Sequence, residues 1–110
     1  MNRQNCIEII YSECTSMDGF LVKLRSREFS KNQYESLLNA LSEFRELIRG
    51  QDYIERKVTY CLYNLDIALT GALKVYSRTE IEKGLIQSAH QEFSKLIIDI
   101  LTPESLIGNK

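Results

Sequence analysis

Apolar residues recur at spacings of three and four along most of the chain, which is the period of amphipathic helices packed on a common core. The strongest stripe occupies one helix face within residues 58–76: Val58, Leu62, Leu65, Leu69, Leu73 and Tyr76. β-branched alternation is missing, and the one proline, Pro103, lies near the end of the chain. The pattern therefore predicts an all-α fold.

The first helix is predicted over about residues 4–27. Its apolar seam consists of Ile7, Ile10, Cys14, Met17, Leu21 and Leu24. The weak point is the run of poor helix formers before and at Gly19, which could kink the helix or split it near Asp18-Gly19. Because the apolar phase is the same on both sides of this run, a continuous helix is favoured.

The second helix begins at Ser30, which forms a capping box with Gln33. Gly50 ends it, since a glycine just past the last periodic residue adopts the left-handed conformation without steric cost. Its apolar stripe consists of Tyr34, Leu37, Leu38, Leu41, Phe44, Leu47 and Ile48. This segment is the most regular of the amphipathic stretches, with charged residues on the opposite side.

Two further cap signatures begin the last two helices. Asp52 with Glu55 begins the third helix, and Thr79 begins the fourth, which ends before Pro103. The core positions of the fourth helix are Ile81, Leu85, Ala89, Phe93, Leu96, Ile97 and Ile100. Short connections predict an antiparallel up-and-down four-helix bundle. A single domain of residues 1–103 is expected, with residues 104–110 as a flexible C-terminal tail.

Charge and hydropathy exclude two classes of partner. The 14 basic and 15 acidic residues nearly cancel, and neither sign forms a long run. Nucleic-acid binding is not expected, because neutralising several phosphates requires a basic stripe. No stretch approaches the ~18 uninterrupted apolar residues of a membrane span, and the first residues lack the apolar run of a signal peptide. A cytoplasmic protein without membrane contact is predicted.

Residues that could carry chemistry are few and scattered. Cys6, Cys14 and Cys61 are an odd number without a C-x-x-C spacing, and His90 is the one histidine, so neither a disulfide framework nor a metal site is indicated. No nucleophile and base stand at a useful spacing, and the glycines do not form a phosphate loop. A protein without cofactor, metal or catalytic residues is expected, and thus not an enzyme.

The side of the third helix opposite its core stripe is unusually apolar and aromatic. Tyr60, Tyr63, Ile67 and Gly71 lie there, although a helix in a four-helix bundle buries only about half its circumference. Two explanations stay open: a close helix crossing at Gly71 within the monomer, or a surface for a partner. Asp66, at the border of the stripe, is either an edge residue bonded to a hydroxyl on the next helix or an anionic contact to a partner.

These features favour a non-enzymatic protein-binding module with one specific protein partner. Tyr60, Tyr63 and Ile67 are the candidate anchors, because large side chains with few torsions lose little entropy when fixed. Polar residues that would surround these anchors are Asn64, Asp66 and Lys74. Bacterial immunity proteins and antitoxins are small helical proteins of this kind, so neutralisation of a cognate toxin is the most concrete hypothesis. The alternative is a homo-oligomeric structural or scaffolding bundle.

Overall fold

The computed structural model describes residues 2–75, 80–103 and 106, and these ranges contain helices and no β-strand. The helices are α1 (Arg3–Thr15), α2 (Phe20–Arg25), α3 (Lys31–Leu47), α4 (Arg56–Val75) and α5 (Glu80–Leu101). The four long helices pack on one another, and the short α2 packs against α1, α3 and α4. The predicted all-α four-helix bundle is confirmed.

The long helices alternate in direction along the chain, yet α3 and α4 lie diagonally across the bundle instead of side by side. Tyr34 near the start of α3 donates to Glu92 of α5. Further along both helices, Arg45 donates to Asp99. This order shows that α3 runs parallel to α5, and contacts in the same order show that α1 runs parallel to α4. The connection from α3 to α4 therefore crosses the end of the bundle.

The expectation of a continuous first helix is wrong, because a turn at residues 16–19 separates α1 from α2. Gly19 packs so closely against the end of α1 that a Cβ atom there would lie 2.6 Å from the carbonyl oxygen of Glu13 and 2.7 Å from that of Ser12. Only a residue without a Cβ permits this approach. The turn also removes Met17 from the predicted seam and leaves it 84% exposed.

Side chains of α1 and α3 hold this turn in place. One carboxylate oxygen of Glu13 accepts hydrogen bonds from the Phe20 amide and from Gln33 Nε2, both at 3.1 Å. Gln33 Nε2 also donates to the carbonyl oxygen of Asp18 at 2.6 Å. The predicted cap of α3 is confirmed in part. Ser30 Oγ accepts a hydrogen bond from the Gln33 amide, as predicted. The Gln33 side chain, however, bonds to the turn and not to Ser30.

The helix that carries the central stripe begins later than predicted. Asp52 lies in the connection, and α4 begins at Arg56. The amides of Val58 and Thr59 donate to the carbonyl oxygen of Glu55, so Glu55 occupies the capping position. The predicted cap is wrong because residues 51–55, which are not helical, carry the chain from α3 to the diagonal position of α4.

Arg3 ties the connection of residues 48–55 to the start of α1. Its guanidinium donates to both carboxylate oxygens of Glu55 at 3.1 Å and to the carbonyl oxygen of Tyr53 at 3.2 Å. It also donates to the side chain of Gln51. A single cation therefore satisfies several acceptors along a stretch that has no helix of its own.

An aromatic cluster lies where α2, α3 and α5 meet. Phe20 is edge-on to Phe29, with ring centroids 5.6 Å apart, and Tyr34 is edge-on to Phe93 at 5.3 Å. These geometries suit aromatic rings, whose edges and faces carry opposite partial charge. Burial, and then the hydrogen bond to Glu92, raises the pKa of the Tyr34 hydroxyl well above its ordinary value.

Most of the predicted core positions in the described ranges are buried or half-buried, and Leu47 and Leu85 join Met17 as exposed exceptions. Leu47 and Leu85 are 39% and 46% exposed, whereas Ile86 is buried in place of Leu85. Both Leu85 and Ile86 fall within the broad apolar stripe of α5, and its simultaneous packing on α3 and α4 selects Ile86. The largest fully buried side chains are Phe20, Phe44, Phe93, Ile10, Leu21, Leu24, Leu37, Leu41, Leu62, Leu65, Leu69 and Ile86.

Some predictions fall on residues outside the described ranges. These are the cap at Thr79, the last stripe position Tyr76 and the tail of residues 104–110 apart from Leu106, which is exposed. The burial of Ile81 is likewise outside what the structure describes.

Candidate protein-binding surface

One side of α4 is buried in the bundle and the other is exposed. On the exposed side, Tyr60, Tyr63 and Ile67 are 58%, 67% and 49% exposed. Their spacings of three, four and seven residues place them on one face of the helix. This surface, the outer face, comprises Tyr60, Tyr63, Asn64, Ile67 and Gly71. The structure thus brings the three predicted anchors together.

The outer face is not a second buried face, so one of the two explanations left open by the sequence is wrong. A close helix crossing at Gly71 would place neighbouring atoms around its Cα, yet a Cβ atom built there meets nothing within 4 Å. The helices that pack against α4 contact its other side, through residues such as Leu65 and Leu69.

The three predicted polar residues occupy different positions around the outer face. Asn64 is half-buried, and its Nδ2 donates to the carbonyl oxygen of Tyr60 at 2.8 Å, which fixes the amide in place. Lys74 is exposed and lies seven residues beyond Ile67 on the same side of α4. Asp66 is exposed and bonds to no described residue, so the alternative in which it bonds to a hydroxyl on the next helix is wrong.

Tyrosines outside α4 behave differently from one another. Tyr11 of α1 is 41% exposed and contacts the first turn of α4, where Lys57 Nζ lies 4.8 Å from its ring centroid in a cation–π contact. Tyr53, predicted on the same helix as Tyr60, instead lies in the connection before α4 and is 87% exposed. Tyr53 therefore lies outside the helix that carries the outer face.

A groove of about 290 Å³ continues the outer face beyond Ile67. Its lining consists of Leu24, Arg25, Arg27, Ile67, Ala68, Gly71 and Ala72. The two arginines come from the end of α2 and the residues after it, and both are exposed. Sequence reasoning missed them because no periodic signal relates α2 to α4; their proximity is a consequence of tertiary packing alone.

The three cysteines are buried in the core of the bundle. Cys6, Cys14 and Cys61 are free thiols within the core. The thiol of Cys14 donates to the carbonyl oxygen of Cys61 at 3.9 Å. A hydrogen bond with the Cys61 side chain, and then burial, raises the pKa of Cys14. Burial, and then the nearby Glu43 carboxylate, raises the pKa of Cys6. Raised pKa values disfavour the nucleophilic thiolate.

Metal ligands do not converge in the part of the chain that the structure describes: no three His, Cys, Asp or Glu side chains are grouped as a metal site there. Across the described ranges, no helix combines the length and hydropathy that crossing a membrane requires.

Comparison with known proteins finds no matching family model, no similar curated protein and no similar solved structure. Fold and surface define the chain as a helical bundle in which α4 exposes an aromatic and aliphatic face.

Proposed function

We propose that this chain is a non-enzymatic protein-binding module and that the outer face of α4 binds its partner. The observation that carries the proposal is the exposure of Tyr60, Tyr63 and Ile67 together on one rigid helix. Large apolar side chains gathered on one surface mark interaction sites more often than isolated exposed ones do. Tyrosine is enriched in such sites because it combines apolar area with a hydrogen-bonding tip.

The rigidity of the outer face also supports the proposal. α4 is anchored by a fully buried stripe that includes Leu62, Leu65 and Leu69, so the backbone under Tyr60 and Tyr63 is held by the core. A surface fixed before binding loses less conformational entropy when the complex forms. The site needs no rearrangement of the bundle to receive a partner.

Within this class, the most concrete form we propose is an immunity or antitoxin-type protein that binds and neutralises one cognate toxin. The basis for this form is the size of the chain and its helical fold, together with the lack of a recognisable catalytic set in its sequence. A homo-oligomeric scaffold that uses the same face on itself is the alternative. Light scattering separates the two, because only the scaffold self-associates.

The test compares three tyrosine variants as bait in pull-downs from a lysate of the source organism. Tyr60→Ala and Tyr63→Ala remove anchors from the outer face, and Tyr53→Ala is the matched control, since Tyr53 is the more exposed residue and lies off the face. A partner of the outer face is retained by the wild type and by Tyr53→Ala. Each of the other two changes is expected to weaken its binding by ~2 kcal/mol or more, roughly 30-fold in affinity.

Thermal melts of the same variants are the companion measurement. Because Tyr60 and Tyr63 are exposed, their truncation is expected to change the stability of the fold far less than the ~3–5 kcal/mol typical of buried aromatics. A partner that all three variants retain equally would place the binding site elsewhere. Losses of stability as large as those of core residues would show that the face is not free.

A further inference from the structure

The groove at the end of the outer face has an apolar floor and a basic rim. Leu24 and Ala72 form its floor and are buried, and Gly71 leaves room because it has no side chain. Its volume of about 290 Å³ lies at the small end of the ~300–1,000 Å³ range of ligand pockets, enough for one or two aliphatic side chains. Ile67 belongs both to the groove and to the outer face.

The rim carries positive charge that no carboxylate of the groove lining neutralises. Arg25 and Arg27 line the groove, the described lining contains no carboxylate, and neither arginine forms an ion pair with a described residue. The carboxylate nearest in sequence, Glu28, pairs instead with Lys23 at 3.9 Å. Lys74 adds a further cation on the same side of α4. This local excess contrasts with a net charge of −1 for the whole chain.

The backbone contributes to this arrangement. Arg27 has a φ of 64°, in the left-handed region, at the turn that ends α2. The left-handed conformation has the least steric cost for glycine and is disfavoured for residues with a Cβ atom such as arginine. The position nevertheless carries a long basic side chain beside an apolar groove, where its planar guanidinium can pair with a carboxylate through two hydrogen bonds.

From this charge complementarity we infer that the partner contributes an acidic segment in which an apolar side chain enters the groove and flanking carboxylates pair with Arg25 and Arg27. The inference rests on the proposed function and specifies the chemistry of its partner. Tyr60 and Tyr63 then contact the continuation of the same segment along α4. An oligonucleotide fits less well, because the apolar floor of the groove offers a base no hydrogen-bonding partner, and the chain as a whole lacks the basic stripe that would follow successive phosphates.

The experiment uses a displayed library of random 12-residue peptides, selected on the wild-type protein, and measures the affinity of the enriched peptides by fluorescence anisotropy. The key variant is the double charge reversal Arg25→Glu with Arg27→Glu. Its matched control is Lys83→Glu with Lys95→Glu, which changes the net charge equally at exposed positions that neither line the groove nor form an ion pair with a described residue. Thermal melts establish that both double variants are folded.

The inference predicts that enriched peptides combine Leu, Ile or Phe with neighbouring Asp or Glu. Their affinity is expected to fall at least tenfold in the groove variant and to stay within twofold in the control. Selection on the groove variant is expected to enrich basic residues instead. Peptides that depend on Tyr63 but are indifferent to the charge reversal would overturn the inference and leave the proposed function standing.

Other outcomes also decide against the inference. Failure of the library to enrich any apolar and acidic sequence overturns it, as does a wild-type dimer that the groove variant dissociates, because a second copy would then be the occupant. Tight binding of a labelled oligothymidine, lost in the groove variant, would assign the site to nucleic acid. The pull-down with tyrosine variants tests the proposed function separately from all of these.

Discussion

A Cβ atom on Gly19 would lie 2.7 Å from the carbonyl oxygen of Ser12, closer than carbon and oxygen atoms of separate groups normally approach. The contact is with backbone, which cannot rotate away as a flexible side chain can. This approach lets α2 fold back beside α1. It thereby sets the position of the arginines at the groove.

Gly19→Ala is therefore expected to destabilise the protein by about 1–3 kcal/mol, the usual cost of overpacking a close contact. Gly84→Ala is the matched control: Gly84 lies within α5, and its Cβ would meet nothing within 4 Å. That substitution should stabilise the protein by up to ~1 kcal/mol through helix propensity. Urea denaturation measures both, and equal effects would contradict the close packing at the turn.

Two neighbouring aliphatic residues of α4 test the assignment of its faces. Leu65 is fully buried and Ile67 is 49% exposed. Leu65→Ala is expected to cost ~2–5 kcal/mol because it leaves a cavity, whereas Ile67→Ala should stay within about 1 kcal/mol. Chemical denaturation midpoints of the two variants report the difference. A cost for Ile67→Ala as large as that for Leu65→Ala would mean that the outer face is covered.

The ion pair of Arg3 and Glu55 predicts a contribution of Glu55 to the pH dependence of stability. Hydrogen bonds from Arg3 hold the pKa of the Glu55 carboxyl below its ordinary value. A carboxyl whose pKa is lower in the folded state stabilises the fold above its unfolded pKa of ~4.3, and this stability is lost as the pH falls through the folded pKa. The effect is modest because both side chains are partly exposed.

Glu55→Gln should accordingly lower the stability at pH 7 and reduce its loss between about pH 5 and pH 3. Glu35→Gln is the control, because Glu35 is exposed and forms no ion pair within the described residues. Denaturation midpoints across this pH range supply the comparison. Parallel pH profiles for wild type and Glu55→Gln would show that the pair contributes nothing.

The burial of the cysteines predicts their reactivity. All three thiols are at most 6% exposed, and the pKa values of Cys6 and Cys14 are raised. The folded protein should react slowly with Ellman's reagent, and the protein in guanidinium should react at three thiols within the mixing time. Rapid release of thionitrobenzoate from the folded protein would indicate that the core opens around a cysteine.

How far sequence reasoning reached is clearest in α4. The spacing of Leu62, Leu65 and Leu69 correctly predicted its buried stripe, because burying one face of a helix leaves a period of 3.6 in the residues themselves. The same reasoning could not decide the environment of Tyr60 and Tyr63, since an exposed face and a second buried face can carry the same residues. The caps predicted at Ser30 and Asp52 likewise have the same local pattern, and only the path of the chain from α3 to α4 makes the second one wrong.

The residues alone were enough to predict a helical protein and the positions of each helix that could enter the core, because propensity, capping and periodicity act over a few neighbouring residues. The packed fold was needed to establish that the first helix is split at Gly19, that α3 and α4 lie diagonally, and that a groove joins Arg25 and Arg27 to Ile67. These features depend on contacts between segments distant in the chain. The residues of one helix do not specify which other helix will pack against it, so the arrangement of the helices is fixed only when the whole bundle folds.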